Sequence, residues 1–371
     1  MDIQIKQVKT KKELRDYIYL PEKIHKNHKN WLYPIYDDEW TFYSIKNKVY
    51  TYADTVLYLA YKAGKTVGRI MGIINKKYNE VNNTKQARFC FIECYEDKQI
   101  NDALLNSVEN WAREKGMTEI IGPFGFSDKE PQGLLIEGFE EPTVIVTTHS
   151  FEYLKNFIEA AGYLPKLDLV QYQVTVPQIM PEVYKRASSR SEKNGYFVKE
   201  FTRRKDVKPY IRPVFHLINE TYTHIFGFAA FDEKEMDEFA NRYIYLLGPK
   251  LIKIIVDAQN LPLAFVIAMP DISEGIRKAK GKLFPIGIFK IFAERSKSKQ
   301  LNLLLGAVKL IYRNLGLDAL LAVKLLESAK ELGLEHIDSH LIMEENKPMR
   351  AEMDRLNAKI YKRYRVYMKN L

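Results

Sequence analysis

In the segment PVFHLINETYTHIFGF, His216, Glu220 and His224 recur at every fourth position. That spacing places them along one face if the segment is helical. A carboxylate whose pKa burial raises towards neutrality, or an imidazole that burial keeps uncharged, could act there as a general base. A metal array is not expected, since the His-Glu-x-x-His order is missing and no third ligand stands at an obvious spacing. A surface helix bearing an ion pair would show the same pattern. Asp271, in MPDI at the end of an expected strand, and His340, in EHIDSHLI, are rival bases.

A second stretch, VKLIYRNLGLDALLAVKLLESAKE from Val308 to Glu331, is suited to binding rather than proton transfer. The strand-like run QLNLLLGAV precedes it, and Leu317, Leu320, Leu321, Leu325, Leu326 and Ala329 then recur at helical spacing. A strand thus feeds a loop that feeds a helix. At the joint lies RNLGLD, where Asn314 or a neighbour can cap and Gly316 lets the backbone approach a ligand closely. Free amides at a helix start, with the positive end of its dipole, favour phosphate. An ordinary strand-to-helix turn would carry the same glycine.

These groups need a scaffold, and the chain spells one out twice. After a helix from Lys11 and an aromatic passage, VLYLAYKAGKTVGRIMGIIN reads as a hairpin turning at Ala63-Gly64-Lys65. A strand (ARFCFIECYE), a helix closed by Gly116, a strand (TEIIGPF), a Gly/Pro-rich insert, a helix (FEYLKNFIEAAG) and a closing strand (DLVQYQV) follow. The second half repeats the order. Its hairpin turns at Gln259-Asn260, and QLNLLLGAV, the helix ending at Gly333, EHIDSHLI, a helix from Asn346 and IYKRYRVYM complete it. The reading is two copies of one α/β unit, residues 1–176 and 196–371, joined by a linker over 177–195.

With 371 residues, 46% hydrophobic and 12% aromatic, the chain can bury two sizeable cores. No uninterrupted apolar run is long enough for a transmembrane helix, and the start, MDIQIKQVKTKKELRD, lacks a signal-peptide core. The two cysteines, Cys90 and Cys94, fall four apart in one strand and are expected as buried thiols on one face, in a reducing compartment. The formal charge of +10 favours anionic partners such as coenzyme phosphates, acidic lipid or nucleic acid.

The Val308–Arg313–Gly316 register resembles the coenzyme A motif of the GNAT acyltransferases, with Asp318 standing where that family prefers glycine or alanine. The element order is similar to the GNAT fold throughout. VGRIMGIIN, IIGPFGFSDKEPQGLLIEGF, AGYLPKLDL, AMPDI and LNAKIYKRYRVYMK resemble the tandem-GNAT proteins that include the bacterial ceramide synthases. The resemblance implies two tandem GNAT lobes, each a mixed, largely antiparallel sheet flanked by helices. It implies a donor arm bonded by the backbone of Gly306, Ala307 and Val308. A pyrophosphate would lie at Arg313, Asn314, Leu315, Gly316 and Leu317, and Asn346 would contact the coenzyme unless it only caps its helix. The corresponding stretch of the first lobe, YEDKQINDA, is acidic and lacks glycine, so that lobe is expected to bind no coenzyme A.

The expected activity is transfer of an acyl group from acyl-CoA, as co-substrate, to a long-chain amine, with a sphingoid base giving a ceramide-type amide. The apolar runs HIFGFAAF and GKLFPIGIFKIFAERSKSK argue for a greasy acceptor. They suit a cytoplasmic protein held peripherally at the inner face of an anionic membrane. The alternatives are acetylation of a small polar amine, or a non-catalytic protein binding a ligand or nucleic acid through KIYKRYRVYMK. In that strand Tyr361, Arg363, Arg365 and Tyr367 would share a face.

Overall fold

A computed structural model describes residues 2–371. The first half runs β1 (Ile3–Gln7), α1 (Lys11–Ile24), α2 (Tyr36–Phe42), β2 (Ala53–Lys62), β3 (Lys65–Asn75), α3 (Lys76–Asn82), β4 (Gln86–Cys94), α4 (Lys98–Glu114), β5 (Glu119–Gly122), β6 (Leu134–Glu137), α5 (Glu152–Ala160) and β7 (Leu164–Thr175). Next come α6 (Glu182–Lys193), β8 (Val198–Glu200), α7 (Arg204–Val207), α8 (Ile211–Thr221), α9 (Glu233–Tyr243), β9 (Ile252–Val256) and β10 (Pro262–Pro270). The remainder is α10 (Ser273–Ala279), α11 (Gly287–Arg295), β11 (Gln300–Val308), α12 (Leu317–Glu331), β12 (His336–Met343), α13 (Lys347–Arg355) and β13 (Lys359–Asn370). The order read from sequence therefore recurs in both halves. Within residues 177–195 the chain forms α6, which packs on α12.

All thirteen strands join one sheet, in the order β1-β2-β3-β4-β5-β13-β7-β12-β11-β10-β9-β8, with β6 pairing β13 off this path. The closing strands are exchanged. β13, the last strand of the second half, lies between β5 and β7 of the first, and β7 lies between β13 and β12. Each half thus completes the other. Tyr364, Val366 and Tyr367 of β13 are fully buried, and Tyr367 lies in the first half's core with Phe89, Leu104 and Ile158.

Local chemistry explains the helices. Thr10 and Glu13 form a capping box at the start of α1. In contrast, α12 is buried nearly all round, from Leu317 to Ala329, because the sheet covers one side and α6 the other.

Parallel neighbours pair over only three residues in each half. Gln86–Arg88 of β4 pair with Glu119–Ile121 of β5, and Gln300–Asn302 of β11 with His336–Asp338 of β12. Beyond those residues the strands part, leaving a V in the sheet. The cysteines sit otherwise than expected. Phe91 has a φ of 51°, the register shifts beside it, and Cys90 and Cys94 enter different core clusters on opposite faces. Both are free and buried.

Candidate functional site

The two V-shaped gaps differ. In the first half, the edge of β4 is served by its own chain, because Phe124 donates its amide to Phe89 O (2.9 Å) and Tyr153 its hydroxyl to Cys94 O (2.7 Å). The start of α4 is closed as well, by the Asp97 carboxylate accepting the Gln99 N–H (3.0 Å). In the second half, β11 continues from Leu303 to Val308 without β12 beside it. Leu303, Leu304, Leu305, Ala307 and Val308 are only half-buried, and Gly306 is exposed. An unpaired strand edge carries backbone groups that an extended ligand can bond.

Tyr222, just past the end of α8, meets that edge. Its hydroxyl donates to Gly306 O (3.0 Å) and accepts the Gly306 N–H (3.2 Å). Burial pushes the phenol up to about 12, with the Gly306 amide pulling the other way. At the far end of β11, the chain turns through Leu310–Tyr312 and Asn314 (φ 64°) to Gly316, whose φ of 82° opens α12. Among the described residues no side chain caps this helix start, unlike that of α4. Arg313, Asn314 and Leu315 are exposed around it, Leu317 is buried, and Ser191 of α6 braces the turn by donating to Leu315 O (2.7 Å).

The four candidate bases fall in three places. Glu220 stands beside the open edge, paired with Lys309 at 3.4 Å. His224 does not share its helical face: α8 ends at Thr221, and His224 lies exposed in the following turn. Asp271 and His340 sit at the root of the V. Asp271 accepts from Ser273 Oγ (2.7 Å) and Asn302 Nδ2 (3.0 Å), and burial raises its pKa despite these donors. His340, with a φ of 57°, donates its amide to Asp338 (2.9 Å), and burial lowers its imidazole pKa. Asn346 caps α13 through Met349 N (3.2 Å).

Several groups at this root carry no signal in the sequence. Asp338 also accepts both Gln171 Nε2 contacts (2.8 and 2.9 Å) and the Tyr361 hydroxyl. Lys362, fully buried, donates to Pro142 O (2.5 Å) and is lowered to about 8, mainly by burial. These contacts join residues from both halves, which periodicity within one segment cannot show. The basic strand is not a free cationic stripe. Arg363 is paired with Glu137 and Glu344, Arg365 with Asp168 at 2.7 Å, and Tyr367 is buried.

The fold is also found among solved structures. A tandem GNAT protein from the clavulanic acid biosynthesis pathway aligns over 100% of this chain and 98% of its own, with a TM-score of 0.56 at 12% identity. The chain has a tandem GNAT fold. Two proteins of known sequence resemble it along nearly their whole length. Protein YghO of Escherichia coli K12 is 27% identical over 376 residues, covering 97% of this chain and 94% of that protein. A bacterial ceramide synthase of Caulobacter vibrioides is 25% identical over 383 residues, covering 100% and 98%. No protein-family model matches the chain. The residues expected from sequence as a donor site lie along the β11 gap and at the start of α12.

Proposed function

We propose that the protein is an acyl-CoA-dependent N-acyltransferase whose acceptor is a long-chain amine, a sphingoid base being the acceptor of choice. The observation that carries this reading is the open edge of β11 running into an uncapped helix start. A pantetheine arm can bond the backbone of Gly306, Ala307 and Val308, while the pyrophosphate meets the Arg313–Leu317 turn. Transfer needs a neutral amine nitrogen held beside the thioester and donors for the oxyanion. The nitrogen forms a bond to the carbonyl carbon, the carbon–sulfur bond breaks, and the thiolate takes a proton.

The acceptor class rests on the surroundings. Leu303, Leu304, Leu305 and Ala307 leave the open strand with partly exposed apolar side chains, and Leu310 and Ile311 are exposed at its end. Similarity to a bacterial ceramide synthase points to the same kind of acceptor. A membrane surface is the matching source of such an amine. At the turn into α11, Phe284, Ile286 and Phe289 are 74%, 61% and 70% exposed beside Lys282 and Lys290. Ile288 and Phe292, by contrast, are half-buried, and Ile291 packs closely over Gly275.

The test is to incubate the purified protein with acetyl-CoA and long-chain acyl-CoAs, offering sphinganine or small polar amines, and to follow thiol release and product mass. A long-chain amide is expected. Release only with acetyl-CoA and a small amine would replace this reading with that of an acetyltransferase.

A further inference from the structure

Apart from the contacts at the root of the V, a loop of the first half reaches towards the open edge of the second. Residues 122–131 lie against residues 222–231, the segment that begins with Tyr222. Phe124 meets Phe226 edge-on at 5.4 Å, and Gly227 lies so close that any side chain there would run into the Phe124 ring. Asp128 donates its amide to Gly227 O (3.3 Å), and its Oδ1 accepts the Ala229 N–H (3.2 Å). Lys129 Nζ sits 3.5 Å from the centre of the Phe231 ring. These contacts hold one carboxylate of the first half against the loop that follows Tyr222, whose hydroxyl rests on the open edge of the second.

Asp128 differs from the other acids nearby. Glu220 is tied to Lys309, Glu130 accepts the Ser127 amide at 2.7 Å and its hydroxyl at 3.1 Å, and Asp271 and Asp338 are surrounded by donors. Among the described residues, no side chain donates to either oxygen of Asp128. Burial raises its pKa to about 6, against the pull of the Ala229 amide, Lys129 and Arg88. Its charge in turn helps to raise Tyr222, whose hydroxyl rests on Gly306. The ionisable groups facing it are thus Lys129, Glu130 and Arg88 from its own half and Tyr222 from the other.

We propose that Asp128 is the general base of the second-half site, taking a proton from the acceptor ammonium so that the nitrogen can attack the thioester. This rests on the acyltransferase reading. The carboxylate accepts one ammonium proton and passes it to solvent. The freed lone pair forms the carbon–nitrogen bond, the carbon–sulfur bond breaks, and a second nitrogen proton goes to the departing thiolate. An ammonium and a thioester give an amide, a thiol and one proton. A group poised near neutrality and partly desolvated suits that task.

The test is the pH dependence of kcat/KM for transfer from palmitoyl-CoA to sphinganine, with palmitoyl-CoA binding measured by calorimetry. The wild type should lose activity on the acid side, with an inflection near pH 6. Asp128→Asn, which keeps an oxygen for the Ala229 amide, should lower kcat/KM by about 100-fold and abolish that inflection, with donor affinity unchanged. Asp128→Glu should recover part of the rate. An Asn variant that keeps wild-type activity and its acid limb would overturn the proposal while leaving the acyltransferase reading standing. A wild type that transfers to no amine overturns both. Should the Asn variant fail to bind palmitoyl-CoA, the wild-type profile decides, and a flat profile through pH 6 overturns the assignment.

Discussion

Tyr222 holds both the amide and the carbonyl of Gly306, so a donor arm can bond Gly306 only after that hydroxyl has left. Tyr222→Phe should therefore tighten acyl-CoA binding, by about 1 kcal/mol or roughly fivefold, since removing a competing hydrogen bond costs the free enzyme that much. Calorimetry would read this change and should find one site per chain; unchanged or weaker binding would mean the hydroxyl does not compete. A second residue-scale effect involves His25, His28 and His149. His25 links Glu93 and His28, both at 2.9 Å, and His28 meets the His149 ring edge-on at 4.6 Å. Burial, reinforced by neighbouring positive charge, lowers His28 to about 4 and His149 to about 3. An unfolded histidine titrates near 6.5, so below that pH the unfolded chain binds more protons than the folded one. Stability should be full above pH ~6.5 and fall as the pH drops towards 4. Urea midpoints at pH 7 and pH 5 would show it, and His28→Asn should flatten the difference. Gly316 was legible as a turn residue because a strand and a helix flank it in sequence. Asp128 and Tyr222 were not, because their meaning arises where two distant loops touch.

At the scale of elements, the repeated order was legible because hairpins, caps and helical periodicity are local. The Phe91 bulge was not, since no pattern of residue types marks one residue turning to positive φ, and it sends Cys90 and Cys94 to opposite faces. The exchange of β7 and β13 was equally hidden, because an amphipathic strand reads the same whichever half receives it. Tyr364, fully buried on β13, tests that exchange. Tyr364→Ala should cost about 3–5 kcal/mol, as for other large aromatic truncations. The loss should lower a single melting transition for the whole chain. Separate transitions for two halves, only one of them shifted, would contradict the shared sheet.

For the whole molecule, the basic excess and the exposed Phe284, Ile286 and Phe289 are the features on which the proposed membrane attachment rests, through surface charge and shallow insertion. None of the described helices is long and apolar enough to cross a membrane. The protein should sediment with anionic vesicles at low salt and come off at high salt, because screening weakens the ionic contribution. Phe289→Asp should weaken sedimentation without changing the melting temperature. A wild type that ignores such vesicles would favour a small soluble acceptor. The location of this patch was only half legible. The run GKLFPIGIFKIFAERSKSK marks the segment as apolar and basic but not which side chains face outward: close packing of α11 over Gly275 turns Ile288 and Phe292 partly inward and leaves Phe289 outside.

The exchanged strands also bear on synthesis. A ribosome makes β5 and β7 early, but the slot between them is filled by β13, which emerges well after both. Until then the first half presents two unsatisfied strand edges and an incomplete core, a state in which nascent chains attract chaperones or associate with one another. Any product that stops before residue 359 leaves both halves unfinished at once.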